Sequence, residues 1–178
     1  MRDALPESID PRRLAEVGRG LSGSLSLARM PRLAELLDRA DAAGQDFAAF
    51  ALEFGRDASG RDLVRGCVTA TLRLRCQRCN GLLELPVSSG FTLAVVQGLD
   101  EAAQLPAEYE PLLPDEAEID PAALVEDELL LAVPPVPRHV VGACEPPTYS
   151  GSADDGADGR SPTHENPFAV LEVLKRDP

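Results

Sequence analysis

The sequence predicts an α+β protein: an antiparallel β-sheet or partly open barrel with peripheral helices. Runs of alternating apolar and polar residues between positions 46 and 96 are typical of strands joined by tight turns. Two Ile-Asp-Pro tripeptides, at 9–11 and 119–121, are typical of helix starts, because Asp caps a helix and Pro suits its first position. With 44% hydrophobic residues in 178, the chain can bury a sizeable core, and its 4% aromatic content makes that core mainly Leu, Val and Ala.

In the first half of the chain, the spacing of apolar residues and the positions of capping and turn residues predict the helices and strands. A short helix begins with Asp10 as the N-cap and ends at Gly18. Period-two alternation then predicts a strand, and helical spacing of leucines predicts a second helix that stops at Gly44. Two more strands flank the Asp-Ala-Ser-Gly turn at 57–60. The predicted spans are helices at 11–17 and 30–43 and strands at 21–27, 46–54 and 63–74.

The second half of the chain begins with a strand and then changes character. A strand over 82–96 is predicted to be interrupted near Pro86, and residues 100–118 are predicted to be an irregular acidic loop. A helix over 122–132 ends at a proline-rich segment. We therefore expect a single α+β domain over 1–148, a disordered acidic linker over 149–165 and a short C-terminal helix over 166–178.

The turn after the longest alternating run carries a Cys-x-x-Cys pair, Cys76 and Cys79. This spacing lets two sulfurs face one ion, as in half a zinc knuckle, and His139 and Cys144 could complete a four-ligand structural zinc site. The same dithiol also suits a thiol redox enzyme, although no helix is predicted after it. A third interpretation leaves the thiols reduced and His139 as an ordinary loop residue, while Cys67 is expected to be only a small sheet residue.

Arginine is concentrated in the first 80 residues. Those residues hold 13 basic and 11 acidic side chains, a net charge of +2, whereas residues 81–178 hold 4 and 19, a net charge of -15. Four arginines lie on or just beyond one face of the strand that leads to the Cys-x-x-Cys turn, and they are candidate RNA-binding residues: Arg65, Arg73, Arg75 and Arg78. The alternative is a solvated outer sheet face.

The acidic residues of the second half predict a different kind of contact. Glu126, Asp127 and Glu128 are expected to point outward from the 122–132 helix. Consecutive helical residues do not converge on one point, so this face is not expected to hold a metal or perform acid–base catalysis. We interpret it as solvated, or as a docking face for a basic partner.

The chain carries an ordered set of motifs: Cys76-Gln77-Arg78-Cys79, the 105–111 segment Leu-Pro-Ala-Glu-Tyr-Glu-Pro, Ile119-Asp120 leading into the 125–132 segment, Pro134 to His139, Cys144 and the terminal 166–171 segment. Together these motifs resemble the YceD family, the large ribosomal RNA subunit accumulation proteins of bacteria and plastids. The resemblance implies a cytoplasmic, non-enzymatic ribosome biogenesis factor that supports synthesis, processing or stability of 23S ribosomal RNA. Its partners would be pre-ribosomal large-subunit RNA, a ribosomal protein or both, and no membrane, since no 18-residue apolar run is present.

Overall fold

Five strands form one sheet whose spatial order is the sequence order. The computed structural model describes residues 5–38, 47–114 and 117–147. Strands β1 to β4 are antiparallel neighbours, and the short β5 pairs in parallel with the end of β4. The strands are β1 (Gly20–Ser26), β2 (Phe47–Arg56), β3 (Asp62–Arg75), β4 (Leu82–Val95) and β5 (Glu110–Leu112). The predicted α+β class with an antiparallel sheet is confirmed.

Short helices precede, connect and follow the strands. They are α1 (Pro11–Val17), α2 (Pro31–Ala34), α3 (Leu99–Ala102) and α4 (Pro121–Ala132), and a 3-10 turn (Leu27–Arg29) precedes α2. The Asp10 side chain accepts hydrogen bonds from two backbone N–H groups of α1, and Gly18 ends this helix with a positive φ of 64°. Asp120 caps α4 in the same way, through the N–H of Ala122 at 2.7 Å.

The two Ile-Asp-Pro tripeptides lie side by side. Ile9 and Ile119 form an isolated antiparallel bridge, with N–H to O=C distances of 2.9 and 2.8 Å. Each isoleucine is followed by a capping aspartate and a proline that begins a helix. The bridge therefore connects the start of α1 to the start of α4, which joins the first helix of the chain to the helix that precedes the Pro-rich segment.

The core fills the inner face of the sheet. Alternation along β3 buries Val64, Val68, Leu72 and Leu74 there, while the arginines and Cys67 lie on the outer face. Gly66 lies against Phe91 on β4. A Cβ at position 66 would be 1.9 Å from the Phe91 ring, so any larger residue would force the ring to move. Helix α4 adds its apolar side, chiefly Val125 and Leu129, to the same core.

The predicted helix over 30–43 is longer than the helix in the structure. Only Pro31–Ala34 is α-helical, and residues 35–37 form a turn and a bend. The remaining part of the predicted helix, 39–43, and the predicted start of β2 at Asp46 lie outside the described residues. The apolar residues that this segment buries fully are Met30 and Leu33, and one helical turn is enough to bury both.

Two predictions for the second half of the sheet are also corrected. β4 runs without interruption through Pro86. A proline has no N–H to donate, but none is needed on the side of β4 that faces away from β3, because β5 pairs only with Leu93–Val95 among the described residues. The acidic 100–118 stretch contains the end of α3 and all of β5, so it is not wholly irregular.

The predicted domain limit at 148, the 149–165 linker and the 166–178 helix all lie outside the described residues. Within the part of the chain that the structure describes, no helix is both long enough and apolar enough to span a membrane.

Candidate metal centre

The Cys-x-x-Cys pair lies on the turn that joins β3 to β4. The N–H of Cys76 donates to the carbonyl of Gly81 at 2.9 Å, and the N–H of Asn80 donates back to the carbonyl of Cys76 at 2.9 Å. Asn80 adopts a positive φ of 58°, which closes the turn within a few residues. This geometry directs the sulfurs of Cys76 and Cys79 towards the same point.

The other two candidate ligands arrive on the segment that follows α4. The N–H of Gln77 donates to the carbonyl of Pro137 at 2.9 Å, so the Pro-rich segment is hydrogen-bonded to the turn itself. Two residues later, His139 places Nδ1 3.5 Å from the sulfur of Cys79. The sulfur of Cys144 lies 3.9 Å from that of Cys76.

The four ligand atoms of Cys76, Cys79, His139 and Cys144 all lie within 4.8 Å of one another. In a tetrahedral zinc site, Zn–S bonds of about 2.3 Å and Zn–N bonds of about 2.0 Å imply S–S separations of about 3.8 Å and S–N separations of about 3.5 Å. The Cys76–Cys144 separation of 3.9 Å and the Cys79–His139 separation of 3.5 Å match those edges. The residues that the sequence predicted as a zinc site are thus brought together in a cluster that could bind a metal.

The histidine ring is already oriented for such a role. Its Nε2 lies 2.9 Å from the carbonyl oxygen of Leu82, and a carbonyl can only accept, so Nε2 carries the proton. In the neutral ring, Nδ1 then holds a free lone pair directed at the sulfurs. An outer hydrogen bond that selects the tautomer in this way is the usual arrangement at metal-binding histidines.

The electrostatics of the turn favour a thiolate at Cys76. Burial alone would raise the pKa of this thiol, since the residue is fully buried, but N–H groups of Cys79, His139 and Arg78 lower the pKa to about 5. The opposite holds for Cys79: the N–H of Gly81 lowers its pKa, but burial and the neighbouring Cys144 and Cys76 raise it above its ordinary value. The Cys76 thiol therefore ionises readily, whereas ionisation of Cys79 beside it is disfavoured.

The predicted arginine face is found in part. Arg65, Arg73 and Arg75 share the outer face of β3, but each lies beside an acidic group. Arg65 is opposite Glu53 in the β2–β3 register, Arg73 lies 3.6 Å from Glu84, and Arg75 lies 3.1 Å from Asp38. Arg78 lies beyond this face, as predicted, and its side chain turns towards the four candidate ligands and contacts Cys144 at 3.2 Å.

The predicted outward orientation of the acidic helix residues is wrong for two of the three. Glu126 and Glu128 are only 4% and 7% exposed, whereas the Asp127 side chain is 51% exposed and contacts Arg32. The Glu126 carboxylate accepts from the N–H groups of Arg32 and Leu33, at 2.7 and 3.0 Å, and also from the Arg32 guanidinium. It thereby satisfies the first N–H groups of α2, a helix with no side-chain cap of its own.

Glu128 is buried beside a single hydroxyl. The Ser89 Oγ donates to its carboxylate at 3.2 Å on the inner face of the sheet. Burial raises the pKa of Glu128 and outweighs that hydrogen bond, and the negative charges of Glu110 and Asp127 raise it further. A docking role for the acidic face stays a prediction, and Asp127 is the member of the trio whose carboxylate is at the surface.

Fold and cluster together define a class of protein: an open, mostly antiparallel sheet whose central hairpin ends in a potential Cys3His metal knuckle. The family model "Large ribosomal RNA subunit accumulation protein YceD" matches residues 64–175, which include all four candidate ligands. The chain belongs to the YceD family.

One relative is similar along its whole length. The chain is 34% identical over 177 residues to the "Large ribosomal RNA subunit accumulation protein YceD" of Haemophilus influenzae (strain ATCC 51907 / DSM 11121 / KW20 / Rd), and the match covers 97% of each protein. No solved structure matches the chain.

Proposed function

We propose that this protein is a cytoplasmic, non-enzymatic ribosome biogenesis factor that supports the accumulation of 23S ribosomal RNA. The observation that carries the proposal is the 34% identity, over 97% of both chains, to a relative named for large ribosomal RNA subunit accumulation. In this proposal the protein binds pre-ribosomal RNA, a ribosomal protein or both.

The metal cluster is assigned a structural role in this proposal. Cys76, Cys79, His139 and Cys144 would fill all four positions of a zinc ion and leave none open for a substrate. The ion would supply the bonds that fasten the segment after α4 to the β3–β4 turn. Two features favour this role over redox catalysis: the dithiol is followed by a strand and not a helix, and a third thiol and an oriented imidazole converge on it.

The outer face of β3 is the proposed site of RNA contact. Arg65, Arg73 and Arg75 extend along one strand, and exposed arginines suit phosphate groups. The acidic neighbours reduce the net charge of this face, so we expect contacts at individual phosphates and not a strong general attraction. Glu53 and Glu84 would also discourage binding of unrelated RNA.

Deletion of the gene in its host tests the cellular role. We expect the ratio of large-subunit to small-subunit ribosomal RNA to fall, and to recover when the gene is restored. If both RNAs fell by the same factor, or neither changed, the assignment would be withdrawn. Restoration with a Cys76→Ser variant would show separately whether the metal cluster is needed for that role.

Binding experiments distinguish the two proposed partners. Crosslinking in growing cells, followed by sequencing of RNA and identification of protein, reports which is in contact. Arg65→Gln should then weaken binding of the recovered RNA and reduce its salt dependence by about one phosphate contact. Arg13→Gln, which removes another exposed arginine from α1, is the matched control and should change neither. Equal effects of the two variants would contradict a specific role for the sheet face.

A further inference from the structure

Arg78 connects the two halves of the metal cluster. It lies within the Cys-x-x-Cys turn, yet its side chain reaches the segment that carries the other two ligands. Its Nε donates to the sulfur of Cys144 at 3.2 Å. Its terminal nitrogen donates to the carbonyls of His139 and Val140, at 3.2 and 3.1 Å. One planar guanidinium therefore holds a ligand sulfur and the backbone of a second ligand at the same time.

Two of the three cluster sulfurs accept hydrogen bonds from backbone groups, and the third accepts one from a side chain. The sulfur of Cys76 accepts from the backbone N–H of His139 at 3.5 Å, and that of Cys79 accepts from the N–H of Gly81 at 3.4 Å. These donors are backbone groups and do not depend on a side chain. For Cys144, the donor that the described residues provide from outside the four candidate ligands is the side chain of Arg78.

The charge of a filled site also points to this residue. Three thiolates and a neutral imidazole around a divalent ion leave one net negative charge next to the buried Cys76. A partly buried negative charge is costly unless a positive group lies against it. The guanidinium is in direct contact with the cluster, and Arg75 on the neighbouring strand instead contacts Asp38.

We propose that Arg78 is a positioning residue of the metal centre: it fixes the 139–144 segment over the Cys-x-x-Cys turn and neutralises the filled cluster. This inference rests on the proposed zinc site, and it replaces the expectation that Arg78 contacts RNA. The guanidinium joins the Cys-x-x-Cys turn to the 139–144 segment through contacts of the protein's own atoms, so it restricts the positions of the ligands on both sides of the site. Metal binding then requires less ordering of the chain.

The test compares Arg78→Gln and Arg78→Lys with Arg75→Gln as the matched control. Zinc affinity is measured on the purified full chain by competition with a chromogenic chelator. Loss of an outer-shell partner typically weakens metal binding by 10- to 100-fold, so we expect a drop of about that size for Arg78→Gln. Arg78→Lys should recover part of it, because an ammonium restores charge but cannot serve the sulfur and both carbonyls together. Arg75→Gln should bind zinc like the wild type.

Cobalt substitution gives a second, spectroscopic measurement. The sulfur-to-cobalt charge-transfer band of the Co²⁺ protein should move to lower energy in Arg78→Gln, because the thiolate of Cys144 loses its donor. A residue that merely stabilised the fold would leave this band in place. The melting temperatures of the metal-free proteins show how much of any change comes from folding alone.

The outcomes are distinct from those that decide the cellular role. If wild type and Arg78→Gln bind zinc equally tightly, the role of Arg78 is overturned and the metal site stands. If wild type binds no zinc, the metal site and this inference both fail, whereas the ribosomal RNA ratio after gene deletion still decides the proposed function. If Arg78→Gln and Arg75→Gln weaken binding equally, the effect is one of general charge, which also overturns the proposal.

Discussion

Replacement of Glu126 by Ala should destabilise this domain measurably. The carboxylate is 4% exposed and accepts four hydrogen bonds, two from the first N–H groups of α2 and two from the Arg32 guanidinium. Removing it leaves the N–H of Leu33 buried without an acceptor. The Arg32 side chain is 53% exposed and keeps Asp127 as a partner, so the main cost is the unsatisfied buried N–H, about 1–3 kcal/mol. At about 2–4 °C per kcal/mol for a chain of this size, the melting temperature should fall by about 2–12 °C.

Asp127→Ala is the control on the same helix. Its carboxylate lies 2.6 Å from the same arginine, but the two side chains are 51% and 53% exposed, so the pair should contribute less than about 1 kcal/mol. Thermal and urea unfolding of both variants, followed by circular dichroism, measure the difference. A loss of under about 1 kcal/mol for Glu126→Ala, or equal losses for the two, would refute the view that Glu126 connects α4 to α2.

Three further predictions concern other parts of the molecule. His139→Ala should lower the zinc content and the melting temperature, whereas Cys67→Ser should change neither; full zinc content in His139→Ala would eliminate the four-ligand site. Glu128→Gln should raise stability at pH 8, because the raised pKa of Glu128 makes the ionised carboxylate unfavourable in the fold, and this gain should vanish below about pH 4; a pH-independent effect would contradict it. Gly66→Ala should cost at least about 1–3 kcal/mol in chemical unfolding because the new methyl would overlap the Phe91 ring, and an unchanged midpoint would show that the ring moves freely aside.

The parts of the fold that the sequence predicted well depend on local signals. Asp10 and Asp120 cap helices through their own neighbouring N–H groups, and the alternation of β3 is set by its two environments, so a short window contains the information. The four candidate metal ligands were predicted from chemistry and not from a local window, because the chain holds only four cysteines and two histidines.

The parts that were missed depend on distant partners. The buried state of Glu126 follows from α2, 94 residues earlier in the chain, and nothing in the sequence of α4 distinguishes it from Asp127 beside it. Arg78 was predicted to lie just beyond the arginine face, and its contact with Cys144 could not be predicted because that partner lies 66 residues later in the chain. The strand after α3 was missed because three residues are too few to show any period.

The wide separation of the ligands along the chain has a consequence for how the protein is made. Cys79 and His139 are 60 residues apart, and Cys76 and Cys144 are 68 apart. A cross-link that closes a loop of this size removes about 4 kcal/mol of conformational freedom from the unfolded chain. In the proposed zinc site, the dithiol would emerge from the ribosome early and offer two of the four ligands, and the other two would follow only when residue 144 has been made. Metal binding would therefore be a late step of folding, and it would follow the formation of the sheet and of α4.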